Sequence, residues 1–246
     1  MSVHVFLGPS LPAEDAHKEL DATFHPPVAQ GDIIRLVREK PAVIGIIDGY
    51  FEGVPSVWHK EILFAMARGV HVVGASSMGA LRAAELYQFG MEGVGAVFEA
   101  FRDGRLEDDD EVAVIHGPPE LGFPPLSEAM VNIRRTLSDA LAHDIVSEAT
   151  RQRLEELAKM LPYKDRTFAN MIDLAREYGL AKLEVDQFAA WLPNGRVDQK
   201  REDALLLLRS LRQRMKTGFT PKDVKYHFEH TTLWERTVRE SGNVTT

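Results

Sequence analysis

The hydrophobic residues of the first 125 positions fall into short continuous runs, separated by stretches with helical spacing. Continuous apolar runs of this length are typical of parallel strands that are covered on both faces. The pattern therefore predicts an α/β fold with a mostly parallel sheet of about four or five strands flanked by helices. The predicted strands are 3–8, 42–48, 70–75 and 111–116, and the predicted helices are 13–20, 31–39, 55–69, 78–90 and 93–104.

Strand-like runs end at about residue 125, and the apolar positions that follow recur at helical spacing. A turn is predicted at LPNGR (192–196), and Thr220-Pro221 is typical of a helix start. We therefore expect an α/β core at residues 1–125 and an all-helical region at 126–246 that packs on this core. The helices predicted in this region are 126–142, 147–160, 165–179, 184–192, 197–217, 220–229 and 231–240.

The segment 70–86 (VHVVGASSMGALRAAEL) combines a strand, a tight turn of small residues and a helix. Ala75 and Gly79 lie two residues before and two residues after Ser77, the order that a nucleophile elbow needs. The backbone N–H groups near Met78, at the helix start, would favour a developing oxyanion. A second interpretation is structural, because serine is a preferred helix N-cap. The sequence is compatible with both.

Polar residues follow three of the predicted strands. Asp48-Gly49 ends the second strand, Ser77 follows the third, and His116 ends the fourth. The carboxyl ends of parallel strands share one edge of the sheet, where sites in open α/β sheets lie. An activated hydroxyl needs a base to accept its proton and a carboxylate to orient that base. We therefore predict Ser77 as nucleophile, His116 as a candidate base and Asp48 as the orienting carboxylate, with Gly49 in the backbone turn beside them.

The helix after the second strand offers two further bases, His59 and Lys60, close to its start. Serine is paired with histidine in some enzymes and with lysine in others, so the sequence leaves the base open. The structural alternative for His59 is packing against its neighbours. For Lys60 and Glu61 the alternative is a solvent-exposed helix face.

Composition excludes several classes of partner and site. The net charge of −8 gives no overall attraction to nucleic acids or anionic membranes. No segment approaches the ~20 apolar residues that span a bilayer, and the first residues lack a signal-peptide pattern, so we expect a cytoplasmic protein. The absence of cysteine excludes disulfides, thiolate zinc sites and a persulfide on a protein thiol. The composition is compatible with a homo-oligomer.

The acidic run 107–111 (EDDDE) offers oxygen ligands of the type that Mg²⁺ prefers. Five adjacent side chains cannot all face one point, so a hydrated loop is the expected alternative. A full dinucleotide loop and a G-x-x-x-x-G-K-[ST] motif are both missing from the sequence. We therefore predict no resident metal and no cofactor, and we keep a Mg²⁺-dependent nucleotide site at this run as a third hypothesis.

Several segments, taken together and in order along most of the chain, resemble the TfuA-like family. Their similarity extends well beyond the serine turn, so it does not depend on a single motif. The matching segments are FLGPSL (6–11), GDI (31–33), IIDGYFE (46–52), VWHKEILFA (57–65), GASSMGALRAAEL (74–86), FGMEGVG (89–95), DDDEVAVIHGP (108–118), LSEAMVNIR (126–134) and VDQKREDALLLL (197–208).

This resemblance implies an accessory role beside a YcaO-type ATP-dependent cyclodehydratase, in the thioamidation of ribosomal peptides or proteins. One implied role is sulfide release or delivery by hydrolysis of a thiocarboxylate on a ubiquitin-like sulfur-carrier protein. The alternative is a non-catalytic partner that recruits and activates the YcaO enzyme. The serine turn favours the first role, because a thiocarboxylate is an acyl compound. Attack by Ser77 would give an acyl-enzyme and free sulfide, which predicts a serine-nucleophile (thio)acyl hydrolase.

Overall fold

A five-stranded sheet in which all pairings are parallel forms the centre of the first half of the chain. The computed structural model describes residues 2–243 and gives the strand order β2-β1-β3-β4-β5. The prediction of a mostly parallel sheet with four or five strands is confirmed. The strands are β1 (Val3–Phe6), β2 (Thr23–His25), β3 (Val43–Ile46), β4 (His71–Ala75) and β5 (Glu92–Val94).

The described part of the chain divides into two compact units. The first unit contains the residues up to Leu106 together with those from Arg201 onward, and the second is Glu107–Lys200. Residues from Arg201 onward therefore group with the sheet, whereas the predicted division places them with the helical region. The helices of the first unit include α1 (Ala13–Glu19), α2 (Asp32–Val37), α3 (His59–Ala67), α4 (Met78–Leu86) and α5 (Ala96–Arg102).

Two helices from the end of the chain contribute to the first unit: α10 (Gln199–Met215), from Arg201 onward, and α11 (Thr232–Asn243). The apolar face of α10 supplies Leu207 and Leu211 to the core that contains Val5 of β1 and Val73 of β4. This contact explains the long leucine-rich run in the sequence, because both faces of a parallel sheet must be covered.

The second unit is built from helices, as predicted for the second half of the chain. Its core contains Ile133, Leu137, Leu154, Met171 and Phe188, all of them fully buried. These side chains recur at helical spacing, so the apolar face of each helix meets the others. The helices are α6 (Met130–Ala142), α7 (Glu148–Met160), α8 (Phe168–Glu177) and α9 (Lys182–Gly195).

The strand predicted at 111–116 is wrong. The structure has a short 3₁₀ helix at Asp109–Glu111 and afterwards an isolated bridge between His116 and Pro125. Val112 and Ala113 are buried, which accounts for the apolar pattern. Side chains satisfy this backbone in place of a neighbouring strand, since the Lys200 ammonium donates to the Val112 carbonyl at 2.7 Å.

Two further local predictions are wrong. The segment 220–229 is not helical, because tertiary partners bind its polar groups: Lys222 N–H donates to the Gly69 carbonyl at 2.8 Å, and the Tyr226 hydroxyl donates to the Leu63 carbonyl at 2.6 Å. The turn predicted at 192–196 lies mostly inside α9, which continues through Pro193 to Gly195. A proline in the last turn forfeits one donor without ending the helix at once.

Glu61 is fully buried, contrary to the expected exposed face. Its carboxylate accepts hydrogen bonds from the N–H of Gly31 at 2.8 and 2.9 Å and from the N–H of Trp58 at 3.4 Å. Glu61 therefore joins the start of α3 to the start of α2. Burial raises the pKa of the carboxyl to about 7, although the hydrogen bonds from Gly31 and Trp58 oppose this shift.

We expect Glu61→Gln to remove a pH dependence of the unfolding free energy. Folding raises this pKa from 4.5 to about 7. The protonated carboxyl therefore stabilises the folded wild type fully below pH 4.5, and this contribution to the unfolding free energy is lost as the pH rises through 7. One pKa unit corresponds to about 1.4 kcal/mol, so Glu61→Gln should gain up to ~3 kcal/mol on the wild type between pH 5 and pH 8.

Chemical denaturation at several pH values measures this gain, with Glu99→Gln on the exposed face of α5 as the matched control. The pH-dependent gain of Glu61→Gln over the wild type should clearly exceed that of Glu99→Gln. An equal pH dependence for the two variants would contradict the raised pKa of the buried carboxyl.

Candidate functional site

The strand order places a topological switch point between β1 and β3, because β1 pairs with β2 on one side and with β3 on the other. Crevices at such points are the usual ligand sites of open α/β sheets. Asp48 follows β3 at this crevice and is 1% exposed. Its carboxylate accepts hydrogen bonds from Gly8 N–H at 2.9 Å, Ser10 N–H at 3.0 Å and the Ser10 hydroxyl at 2.7 Å. Asp48 therefore fixes the turn that follows β1.

The loop after β3 packs directly on the start of α4. A Cβ atom at Gly49 would lie 2.7 Å from Cγ of Met78 and 3.1 Å from Val28, so only glycine fits there. Val28 N–H also donates to the Asp48 carbonyl at 2.9 Å. The structure thus brings Asp48-Gly49 and Ser77-Met78, predicted from separate strands, to one edge of the sheet.

The turn between β4 and α4 has an unusual backbone. Ser76 has a φ of +70°, and Ser77 N–H donates to the Ala75 carbonyl at 2.9 Å. A hydrogen bond across three residues with positive φ at the centre is the signature of the rare, strained γ-turn. For a residue other than glycine such a conformation costs about 1–3 kcal/mol and persists mainly at functional sites.

Two glycines allow this turn to lie against the sheet. A Cβ atom at Gly79 would lie 1.7 Å from the Ile46 carbonyl oxygen, and one at Gly74 would lie 2.0 Å from the Gly79 carbonyl oxygen. Gly79 N–H also donates to the Ile47 carbonyl at 3.2 Å. The first turn of α4 is therefore packed backbone against backbone on the end of β3.

The hydroxyl groups of the turn are not used structurally. Ser77 occupies the N-cap position of α4, but its side chain makes no capping hydrogen bond. The Ser76 hydroxyl is buried without a hydrogen-bond partner. No hydrogen bond to the Met78 amide occurs among residues 2–243 either. A buried unpaired hydroxyl beside a free helix-start amide is a costly arrangement that calls for a functional explanation.

The structure pairs His59 with a carboxylate that the sequence analysis missed. Nε2 of His59, the first residue of α3, lies 2.7 Å from Oε2 of Glu85 on α4, and Arg82 contacts the same oxygen at 2.7 Å. Partial burial raises the pKa of Glu85, but the hydrogen bonds from His59 and Arg82 outweigh it and hold this pKa below its usual value. No hydrogen bond joins His59 to Ser77 within the described part of the chain.

The other two candidate bases have different surroundings. Lys60 donates to the Thr231 hydroxyl at 3.3 Å, and its ammonium lies 5.4 Å from the ring centroid of Phe228. His116 belongs to the second unit, where Nδ1 lies 2.9 Å from the Gly117 carbonyl and the ring packs edge-on against Phe123. Lys60 is not hydrogen-bonded to Ser77 in the described residues.

The acidic run 107–111 is anchored within the second unit at its end, whereas Glu107, Asp108 and Asp109 are exposed. Asp108, Asp110 and Glu111 come within 4.8 Å of one another, a spacing that would suit a cation. The Lys159 ammonium already pairs with all three, at 3.1 Å from Asp108 and 2.9 Å from Glu111, with a closer contact to Asp110. The fully buried Arg166 binds Asp110 as well, at 2.7 Å.

The charged side chains at the start of α10 also form hydrogen bonds inside the protein. Lys200 is 3% exposed and Asp203 is 2% exposed. The Asp203 carboxylate accepts hydrogen bonds from Ala96 N–H at 3.1 Å and Val97 N–H at 2.8 Å, at the beginning of α5. Both charges therefore bind partners within the protein.

Part of the chain matches the model of a known protein family. Residues 48–167 match the family model described as TfuA-like protein. A search of curated proteins finds no match. None of the helices between residues 2 and 243 has both the length and the apolar character needed to cross a membrane. The matched region includes Asp48, Ser77 and His116.

We expect Gly79→Ala to destabilise the protein strongly, because the new methyl group would overlap the Ile46 carbonyl oxygen and push α4 away from β3. Overpacking of this kind costs about 3 kcal/mol or more in tight sites. Gly104→Ala is the matched control, since Gly104 has a φ of +69° but open space around it. The control should lose only about 1 kcal/mol in a urea titration. Equal losses for the two variants would contradict the tight backbone packing.

Proposed function

From the match of residues 48–167 to the TfuA-like family model, we propose that this protein releases sulfide for a YcaO enzyme by Ser77-dependent hydrolysis of a thiocarboxylated carrier protein. The family is associated with YcaO enzymes, which supports an accessory role in thioamidation. The observation that carries the hydrolytic mechanism is the strained turn at residues 75–77, with its two uncommitted hydroxyls and the free Met78 amide.

The proposed reaction has two acyl-transfer steps. The Ser77 oxygen attacks the thiocarboxylate carbon while the base takes the serine proton. The base then delivers this proton to the sulfur as the C–S bond breaks, which releases HS⁻ and leaves an ester on Ser77. Water then attacks this ester with the help of the base, the carrier carboxylate leaves, and Ser77 regains a proton. The Met78 amide at the start of α4 would stabilise the oxyanion in both steps.

The low exposure of Ser77 favours a slender substrate. Ser77 is 2% exposed, and its neighbour Met78 packs on Gly49. The extended C-terminal end of a small carrier protein suits a serine of such low exposure better than a folded peptide region does. The substrate class that fits this proposal is therefore a thiocarboxylate at a flexible chain end.

Ser77→Ala should lower sulfide release from a thiocarboxylated ubiquitin-like carrier by at least about 100-fold, since removal of a nucleophile commonly costs far more than this. The methylene blue assay or a fluorescent sulfide probe measures the rate. Ser76→Ala is the matched control, because it removes a neighbouring hydroxyl of the same turn. This control should keep the rate within about tenfold of wild type if Ser77 alone is the nucleophile.

Thermal unfolding of both variants shows whether the fold is retained. Wild-type sulfide release by a folded Ser77→Ala variant would overturn the hydrolytic mechanism. Loss of activity in Ser76→Ala with full activity in Ser77→Ala would move the nucleophile to Ser76.

The second candidate function is a non-catalytic partner that recruits and activates the YcaO enzyme. It is favoured by one observation: His59 Nε2 is paired with Glu85, and no hydrogen bond joins His59 to Ser77 among the described residues. This function predicts that the YcaO enzyme still requires the protein when excess sulfide is supplied, and that Ser77→Ala supports full thioamide formation. Mass spectrometry of the peptide product decides between the two functions.

A further inference from the structure

A cavity of about 630 Å³ lies at the amino ends of β3 and β4, the sheet edge opposite to Ser77. Its lining includes Ala42 and Val70, which directly precede these strands, and most of it is apolar. The volume falls within the range of about 300–1,000 Å³ that is typical of small-molecule sites. All lining residues belong to the first unit.

Three cationic side chains line this cavity, Arg38, Lys40 and Arg68, and no acidic side chain is among the lining residues. None of the three forms an ion pair with a carboxylate in the part of the chain that the structure describes. Arg68 lies 5.0 Å from the ring centroid of Phe64, and Arg38 donates to the Val238 carbonyl at 3.3 Å. This concentration of positive charge contrasts with the net charge of −8 of the whole chain.

The backbone at Lys40 gives an independent reason to look here. Lys40 has a φ of +55° and follows α2 at a position where glycine is the favoured residue. Its N–H donates to the Val37 carbonyl at 3.1 Å, which closes the end of the helix. Glycine would make the same bond without strain, so the lysine contributes something other than the turn, and its side chain lines the cavity.

The opposite wall comes from the segment that follows α10. Phe219, Thr220 and Pro221 line the cavity, and the Thr220 carbonyl lies 2.8 Å from Nε2 of His71. Together with the Lys222–Gly69 hydrogen bond, this contact pins the segment to the sheet edge. The helix predicted at 220–229 is therefore replaced by an ordered wall.

We infer that this cavity binds an organic anion with an apolar body, such as an alkyl phosphate or a carboxylate, with the anionic group beside Arg38, Lys40 and Arg68. Apolar lining contributes affinity for the body of the ligand, and unpaired cations at the rim give charge complementarity. This site is separate from the proposed hydrolytic function and does not depend on it.

Binding of 8-anilinonaphthalene-1-sulfonate, an anionic fluorophore with an apolar ring system, tests this inference. The full chain should bind one molecule with saturable fluorescence. Lys40→Gln combined with Arg68→Gln should raise the dissociation constant at least about tenfold, since hydrogen bonds to charged groups contribute this much or more to binding. Ala42→Leu, which fills the cavity without changing charge, should weaken binding as well.

The matched control combines Lys216→Gln with Lys225→Gln, which removes two exposed charges outside the cavity. This control should bind the fluorophore like the wild type. Octyl phosphate and octanoate should each displace it, and their ranking shows whether a phosphate or a carboxylate fits better. Unchanged affinity in the cavity variants, several bound molecules per folded chain, or equal displacement by inorganic phosphate would overturn the inference.

Discussion

The contact between the backbone of Gly79 and the end of β3 determines where the residues of the candidate site lie. Gly79 N–H donates to the Ile47 carbonyl at 3.2 Å, and the space of a Cβ atom at Gly79 is taken by the Ile46 carbonyl oxygen. Because no side chain separates helix from strand, the first turn of α4 lies directly on β3. This packing sets Ser77 and Met78 beside the Asp48-Gly49 loop.

The same packing explains how the strained turn persists. A serine in an ordinary turn before a helix would cap it and gain about 1 kcal/mol. Here Ser77 makes no capping bond, Ser76 has positive φ, and its hydroxyl is buried without a partner. These costs must be offset by the buried core around the turn, in which Met78, Ala80 and Ala75 are almost inaccessible to solvent. The fold thus holds two hydroxyls in a conformation that local forces alone would not select.

The sequence predicted the parts of this structure that depend on apolar patterning. β1, β3 and β4 are continuous apolar runs and were identifiable, whereas β2 and β5 have three residues each and only partly buried side chains, so they left no pattern. The apolar run at 112–115 was predicted as a strand because buried residues outside a sheet and residues of a buried strand give the same apolar pattern. Glu61 and Glu85 were missed for a different reason: whether a helical carboxylate is buried or paired depends on elements distant in sequence, here Gly31 and His59.

The choice of base is constrained by how each imidazole uses its two nitrogens. A serine–histidine pair needs one ring nitrogen for the hydroxyl and the other for an orienting carboxylate. His59 already pairs Nε2 with Glu85, so His59 could serve only through Nδ1, with Glu85 as its carboxylate. The Asp48 oxygens already accept three hydrogen bonds from Gly8 and Ser10, which suits a carboxylate that holds the turn at the switch point. In that arrangement Glu85 takes the orienting role that the sequence analysis gives to Asp48, and Asp48 shapes the edge of the sheet.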